Sequence, residues 1–572
     1  MKESLRNSII KAKGQEKAQL VFKNAKVVSV FTKELLDLDL AVEEGYIVGL
    51  GEYSGEEEID LEGRILSPGF IDSHVHIESS MSVPGQFAKA IMPRGVTSII
   101  TDPHEIANVK GIEGIKFMME NSIRTPLDAY FVLPSCVPAT PLENSGAVLK
   151  AKDLEELIVE DMVIGLAEMM DYPGVINYNE DILDKLILAK DMIVDGHGPM
   201  IKDKDLNAYV VAGVKTEHEC STKEEMIDRL RLGMYILIRE GSATRDLGKL
   251  ISQVNKDNLS RILFCTDDKH PEDLLNEGSI DYNIKLAIQA GIDPIDVITI
   301  ASLNPALAYG LKGKGAIAPG YEADLVIIDN LEDFNIEKVY KKGKLVAQNN
   351  KALFDSETIL PKSLLDTVNI PKKLTEEDLN LKIDGNKANV IQIIPDSIVT
   401  GREIRQIKTI EGYFQYGSDN IQKIAVLERH KKTGNIGLGL IQGYDIKNGA
   451  VATTIAHDSH NLIVLGDNDQ DMLLAINELK NIGGGITMVS SGSVIESLPL
   501  EIGGIMTEKT IEFINTKLKK MNRLAYDILK INKEIDPFMT LSFMALPVIP
   551  KLKMTDRGLF DVEKFEFIDI GE

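Results

Sequence analysis

Eight short apolar runs follow one another between residues 70 and 268, about 20 to 45 residues apart, and nearly every one ends in histidine, aspartate or glutamate. They read FIDSHVHI, VTSIITD, AYFVLPS, MVIGLAEM, MIVDGHG, VKTEHEC, YILIREG and ILFCTDD. Continuous rather than alternating apolar text suits parallel strands covered on both faces. Helix-like segments separate the runs, and eight strand–helix units in roughly 250 residues is the arithmetic of a (β/α)₈ TIM-type barrel. A doubly wound sheet also fits the pattern. The polar residues at the C-terminal ends of the runs favour the barrel, because that rim is where such barrels build their sites.

The flanks have another rhythm. Residues 20–66 alternate Val and Ile with polar residues, the period-2 signal of half-buried antiparallel strands. GKGAIAPGYEADLVIIDN after the barrel reads as a strand pair, and FNIEKVYKKGKLVAQNN as a hairpin. These pieces are expected to form one composite β-domain from residues 1–66 and 316–365, around a barrel at 67–315. Charged, proline-containing text near 355–375 reads as a linker. Residues 372–572 then form a separate α/β unit, with strands at KIAVLERH and NLIVLGDN and a helix at DMLLAINELKN. The glycines of GGGITMVSSG lack the GK[ST] ending of a phosphate loop and read as a tight turn.

Composition narrows the partners. With 63 basic against 88 acidic residues the formal charge is −25. A field of that sign repels phosphate, which argues against nucleic acid and anionic membranes. The longest apolar stretches fall short of 18 residues, and the N-terminal 20 residues carry no apolar core of a signal or anchor. Cys136, Cys220 and Cys265 lie far apart without a CxxC pair, so neither a disulfide framework nor a cysteine-rich zinc site is expected. The expectation is a water-soluble cytoplasmic protein that assembles as a homo-oligomer, dimer or larger.

The chemistry sits at the run ends. His74 and His76 are two apart on a strand, so both imidazoles project from one face and can hold one metal ion. A lone HxH is as readily two structural histidines. Here Glu168, His197, His218 and Asp267 end the fourth, fifth, sixth and eighth runs, and Asp102, His104 and Glu105 end the second. Six of the nine histidines lie in this segment. Four histidines and two carboxylates converging on one rim supply enough ligands for two ions. In the C-terminal unit HDSH (His457, Asp458, His460) is either a polar turn capped by its aspartate or a loop that reaches the barrel mouth to line the pocket or contact a further metal.

This constellation resembles the amidohydrolase superfamily over the first 350 residues, through SPGFIDSHVHIESS and GAIAPGYEADLVIID. HVHIESS, TDPHEIANV, the glutamate of the fourth strand and the C-terminal AHDSHN make the whole chain similar to its adenine deaminase branch. The resemblance implies metal ligands His74, His76, Glu168, His197, His218 and Asp267. Glu168 stands where many relatives carry a carboxylated lysine, and serves as the bridge. Two divalent cations are implied, Mn²⁺ before Fe²⁺ or Zn²⁺, since imidazole and carboxylate without thiolate suit all three. The implied reaction is purine salvage: attack of a metal-bridging hydroxide on C6 of adenine, giving hypoxanthine and ammonia. Asp267 is the expected proton shuttle, and Glu78 or Glu105 the donor to ring nitrogen N1. The alternatives are a cyclic amidase, which the glutamate bridge disfavours, and a catalytically silent barrel scaffold, which intact ligands disfavour.

Overall fold

The computed structural model describes residues 2–572 except 372, 396, 418 and 419. All eight apolar runs are strands: Phe70–Val75, Val96–Thr101, Asp128–Leu133, Val163–Met169, Ile193–Gly196, Thr216–Glu217, Tyr235–Arg239 and Ile262–Cys265. The first five form one parallel sheet and the last three another. Lys215 joins the two pieces, donating to Val194 O at 2.9 Å and accepting from Tyr235 N at 2.8 Å. At the far edge Val75 and Asp267 make a parallel bridge, so the last strand lies beside the first. The chain is thus α/β with a curled parallel sheet. Its strands are buried on both faces, which is why they read as unbroken apolar text.

The flanking sheet departs from the expected direction of pairing. Ala18–Ser29, Glu34–Glu43 and Tyr46–Gly51 do run antiparallel. Gly55–Asp60 and Ile65–Pro68, however, both pair parallel to Ala18–Ser29. Alternation reports a buried face and is silent on the direction of the neighbour. The second flank joins the same sheet through Leu325–Ile328 against Ile65–Pro68, followed by the hairpin Ile336–Lys341 and Lys344–Gln348. The stretch expected as a strand pair holds only Leu325–Ile328, because Gly313, Gly315 and Gly320 sit at positive φ and turn the chain instead.

In the C-terminal part an eight-stranded sheet is covered on both faces. In the strand Ile421–Leu427, Ile424 and Val426 pack with Ile514, Leu518 and Met521 of the helix Ile511–Asp527. Ala425 and Leu427 pack with Met472, Ala475 and Ile476 of the helix Asp469–Asn481. Gly483, Gly484 and Gly485, all at positive φ, form the turn before the strand Gly485–Ser490. Ile502, Ile505, Met506 and Ile511 enter the same core as the central strands, so this part is packed onto them. No helix among the described residues is long and apolar enough to cross a membrane.

Candidate metal centre and pocket

Glu168, at the end of the fourth central strand, is the hub of the site. Its Oε1 lies 3.2 Å from His74 Nε2 and 3.1 Å from His76 Nε2. Its Oε2 lies 2.7 Å from His197 Nδ1 and 3.4 Å from His218 Nε2. Each oxygen therefore serves one pair of imidazoles. His76 is oriented from behind, its Nδ1 3.0 Å from Asp102 O, with Nε2 facing Glu168. Burial pushes the Glu168 carboxyl up, but the imidazoles of His218, His197 and His74 outweigh it and hold it well below the usual range. Burial lowers His197 while Glu219 and Glu168 raise it, with a balance of about 9.

Asp267, one residue beyond Thr266 at the end of the eighth strand, reaches the same cluster. Its Oδ1 is 3.2 Å from His76 Nε2 and 3.7 Å from His74 Nε2. Arg239 Nη1 donates to its Oδ2 at 2.9 Å, and the same guanidinium holds Asp246 and Glu219. Asp267 has φ 56°, a left-handed backbone that a non-glycine residue adopts only where its surroundings hold it there. Burial raises its carboxyl, and the hydrogen bond to His76 together with Arg239 brings it well below the usual range.

A second carboxylate–imidazole cluster adjoins the first. His104 Nδ1 is 2.8 Å from Asp102 Oδ2 and 3.7 Å from Glu168 Oε1, and its Nε2 is 3.6 Å from Glu105 Oε1. Glu105 in turn accepts from both C-terminal histidines, His457 Nδ1 at 2.7 Å and His460 Nε2. The HDSH segment therefore meets the C-terminal ends of the central strands. Glu78 lies beside this cluster and lines a small cavity of about 20 Å³ with Glu105, His270, His457 and His460. Ile106 N donates to its Oε1 at 3.2 Å, while Oε2 is buried without a hydrogen-bond partner. Burial, then Glu105, pushes its carboxyl up to about 7.

The larger pocket, of about 300 Å³, opens over the hub. His76, Glu168, His197, His218 and Asp267 form its floor, and Asp458 and His457 stand on its wall. Phe543, Leu546, Val548 and Ile549, with Ile398 and Val399, supply an apolar side. Phe543 stacks on His457 with ring centroids 4.6 Å apart and planes 17° from parallel. A flat heteroaromatic ring fits such a mixture of apolar wall and convergent polar groups.

Sequence reasoning did not single out Glu219, Arg239, Asp246 or the apolar wall. Glu219 directly follows His218, and Arg239 interrupts the apolar run YILIREG. A charged residue inside a buried strand was the available signal. The wall residues read as ordinary apolar text and carried no signal.

The cluster has the character of a cation site. Both ring nitrogens of His74, Oε1 of Glu168 and Nδ1 of His218 are buried with no hydrogen-bond partner. Buried polar atoms of this kind are costly unless something pairs with them. Among the described residues, ligand sets at the floor include His74, His76 and Asp267; His74, Glu168 and His218; His197, His218 and Glu219; and His76, Asp102, His104 and Glu168. The set is imidazole and carboxylate, suited to borderline and hard divalent cations.

Comparison with known proteins gives a consistent picture. Residues 65–346 match the amidohydrolase family and residues 397–566 match the adenine deaminase C-terminal domain. An adenine deaminase of Clostridium acetobutylicum is 50% identical over 572 residues, covering 99% of this chain and 100% of the relative. An adenine deaminase 2 of Carboxydothermus hydrogenoformans is 47% identical, with 98% of each chain covered. An adenine deaminase of Geobacillus kaustophilus is 48% identical, with both chains covered completely.

Proposed function

The chain belongs to the adenine deaminase family of amidohydrolases, and on that premise we propose that it hydrolyses adenine to hypoxanthine and ammonia. The observation that carries the reading is the Glu168 carboxylate, one oxygen on His74 and His76 and the other on His197 and His218, beneath a 300 Å³ pocket. We read the curled sheet as a (β/α)₈ barrel, with a composite β-domain from both flanks and a C-terminal domain covering the mouth.

In this reading His74, His76, Glu168, His197, His218 and Asp267 hold two divalent cations, manganese favoured over iron and zinc. Cations of that kind supply hydroxide at neutral pH by acidifying water, from a pKa of 15.7 to about 7 for zinc. The residues do the rest. Glu168 sets the spacing of the two histidine pairs. Asp267 takes the proton of the attacking water and passes it to the leaving amine, held in place through Oδ2 by Arg239. Phe543 and its apolar neighbours exclude water and bracket the ring. The proton for N1 comes from the pocket wall. Of the two glutamates expected to give it, Glu105 has both oxygens on imidazoles and Glu78 lines the smaller cavity.

The test is ammonia release from adenine by protein reconstituted with Mn²⁺, with hydantoin and dihydropyrimidines as controls. Release from adenine alone is expected. Ring opening of the cyclic amides, followed by chromatography of the N-carbamoyl product, with no ammonia from adenine would sink the reading.

A further inference from the structure

We infer that Asp458, delivered by the C-terminal domain, is a further catalytic residue: the carboxylic acid that protonates ring nitrogen N1 of the purine. The inference rests on the adenine reading and names an acid which that reading leaves open.

The backbone around Asp458 is fixed on both sides. His457 and His460 both donate to Glu105, and Arg429 donates to His460 O. Arg429 is itself fully buried, and its other donors reach Thr367 O, Thr367 Oγ1 and Gly503 O. Asn461 Nδ2 donates to Asn144 O at 2.7 Å. Four residues of chain are thus clamped to the barrel side, and the one carboxyl among them faces the pocket.

Asp458 is 4% exposed, and its Oδ2 is buried with no hydrogen-bond partner. Of the other described carboxylates that line the same pocket, Glu168 alone also has such an oxygen, its Oε1, and Glu168 lies inside the ring of imidazoles. Glu105 and Glu168 meet imidazoles, Asp267 and Glu219 meet Arg239, Asp268 meets Ser79 Oγ and Glu225 accepts from Thr222 N and Oγ1. Each of those groups is already spoken for by a donor. A buried carboxyl oxygen without a donor is stable only when something reaches it or when it carries the proton itself. A ring nitrogen is the acceptor that an O–H at this position lacks.

The step balances. As the water oxygen bonds to C6, the π pair of the C6–N1 bond moves onto N1. The Asp458 O–H bond breaks and an N1–H bond forms. Asp267 passes the first water proton to the amine. The C6–N bond breaks and ammonia leaves as the C6 hydroxyl becomes the carbonyl, and the hydroxyl proton released restores Asp458. Hypoxanthine thus leaves with the transferred hydrogen on N1.

Asp458→Asn keeps the shape and removes the acid. Its turnover of adenine should fall by about 10²–10⁴-fold, the usual contribution of general acid–base catalysis. KM should change by less than about three-fold, and the metal content should match that of the parent. Asp458→Glu should recover part of the loss. A merely structural aspartate would instead lower metal content and thermal midpoint together with turnover. Should Asp458→Asn not fold, judged by circular dichroism, Asp458→Ser carries the same expectation. Turnover within ten-fold of the parent, or a loss that tracks metal content, would overturn the assignment. A parent inactive on adenine would remove the substrate reading and this acid with it, whereas an active parent beside an unimpaired variant removes the acid alone.

Discussion

Two buried carboxylates, Glu168 and Glu105, are each gripped by imidazoles, and they differ in where those imidazoles come from. The four around Glu168 belong to ends of neighbouring central strands, residues 74 to 218. Those around Glu105 are His457 and His460, some 350 residues away along the chain. The first hub is held by parallel strands whose own hydrogen bonds set the spacing. The second exists only when the C-terminal part lies against the ends of the central strands. One arrangement prepares chemistry, and the other closes the chamber in which it happens.

If the division is right, breaking the first hub removes turnover and spares the fold. We expect Glu168→Gln to lower adenine turnover by on the order of 10⁴-fold, equivalent to about 5.5 kcal/mol. Loss of the charge between two cations should cost the second ion more than the first. Metal stoichiometry beside steady-state kinetics checks this, and a variant with two ions and parental turnover would dissolve the distinction. Because a glutamate bridge needs no carbon dioxide, added bicarbonate should leave the parent's rate unchanged.

Asp267→Asn sharpens the same side. Turnover should fall by about 10²–10⁴-fold while metal is retained at least in part, since an amide oxygen remains. Near-parental turnover would leave the proton without its carrier. The left-handed backbone at Asp267 adds that Asn, which tolerates such a φ, is the substitution least confounded by strain.

On the closing side, Arg429→Gln strips donors from His460 O, Gly503 O and Thr367. Hydrogen bonds from a charged group are worth about 1.5–3 kcal/mol each, so the unfolding free energy from urea denaturation should drop by at least about that amount. Metal content should not change. A variant as stable as the parent, with reduced metal, would reverse the roles of the two hubs.

The smallest effect concerns Lys553, also in the C-terminal part. Its ammonium is fully buried against the carbonyls of Ile398 and Phe543, and burial pushes it down to about 7. Between about pH 7 and the ordinary lysine value near 10.4, the unfolded chain holds a proton that the folded one has released. Stability should therefore rise with pH in that window, by at most about 1.4 kcal/mol per unit for one proton. It should be flat with respect to this group below pH 7. Urea midpoints at pH 7.5 and 8.5 for the parent and Lys553→Met measure the slope, and equal slopes would remove the lysine from the account.

The difference between the hubs is also a difference in what a sequence can say. His74 and His76 announce one face of a strand because the strand period is two, and Glu168, His197, His218 and Asp267 follow at successive run ends. Each signal is local, and the barrel arithmetic assembles them. Asp102, His104 and Glu105 were visible as a cluster, but nothing in TDPHE says that its partner is HDSH. That pairing joins residues about 350 positions apart, and a single sequence holds no periodicity for it. Arg239 was hidden differently: one charge in an apolar run looks like a strand end until its three acidic partners are in place. The parallel pairing of Gly55–Asp60 and Ile65–Pro68 was hidden because side-chain alternation is the same for either strand direction.

The placement of Asp458 and its flanking histidines far down the chain has a consequence for how the molecule is made. Asp267, the last of the residues around the Glu168 hub, leaves the ribosome roughly 200 residues before His457. At synthesis rates of about 5–20 residues per second, that is an interval on the order of 10–40 s. During it the floor of the chamber can exist without its cover, open to the ions of the surrounding medium.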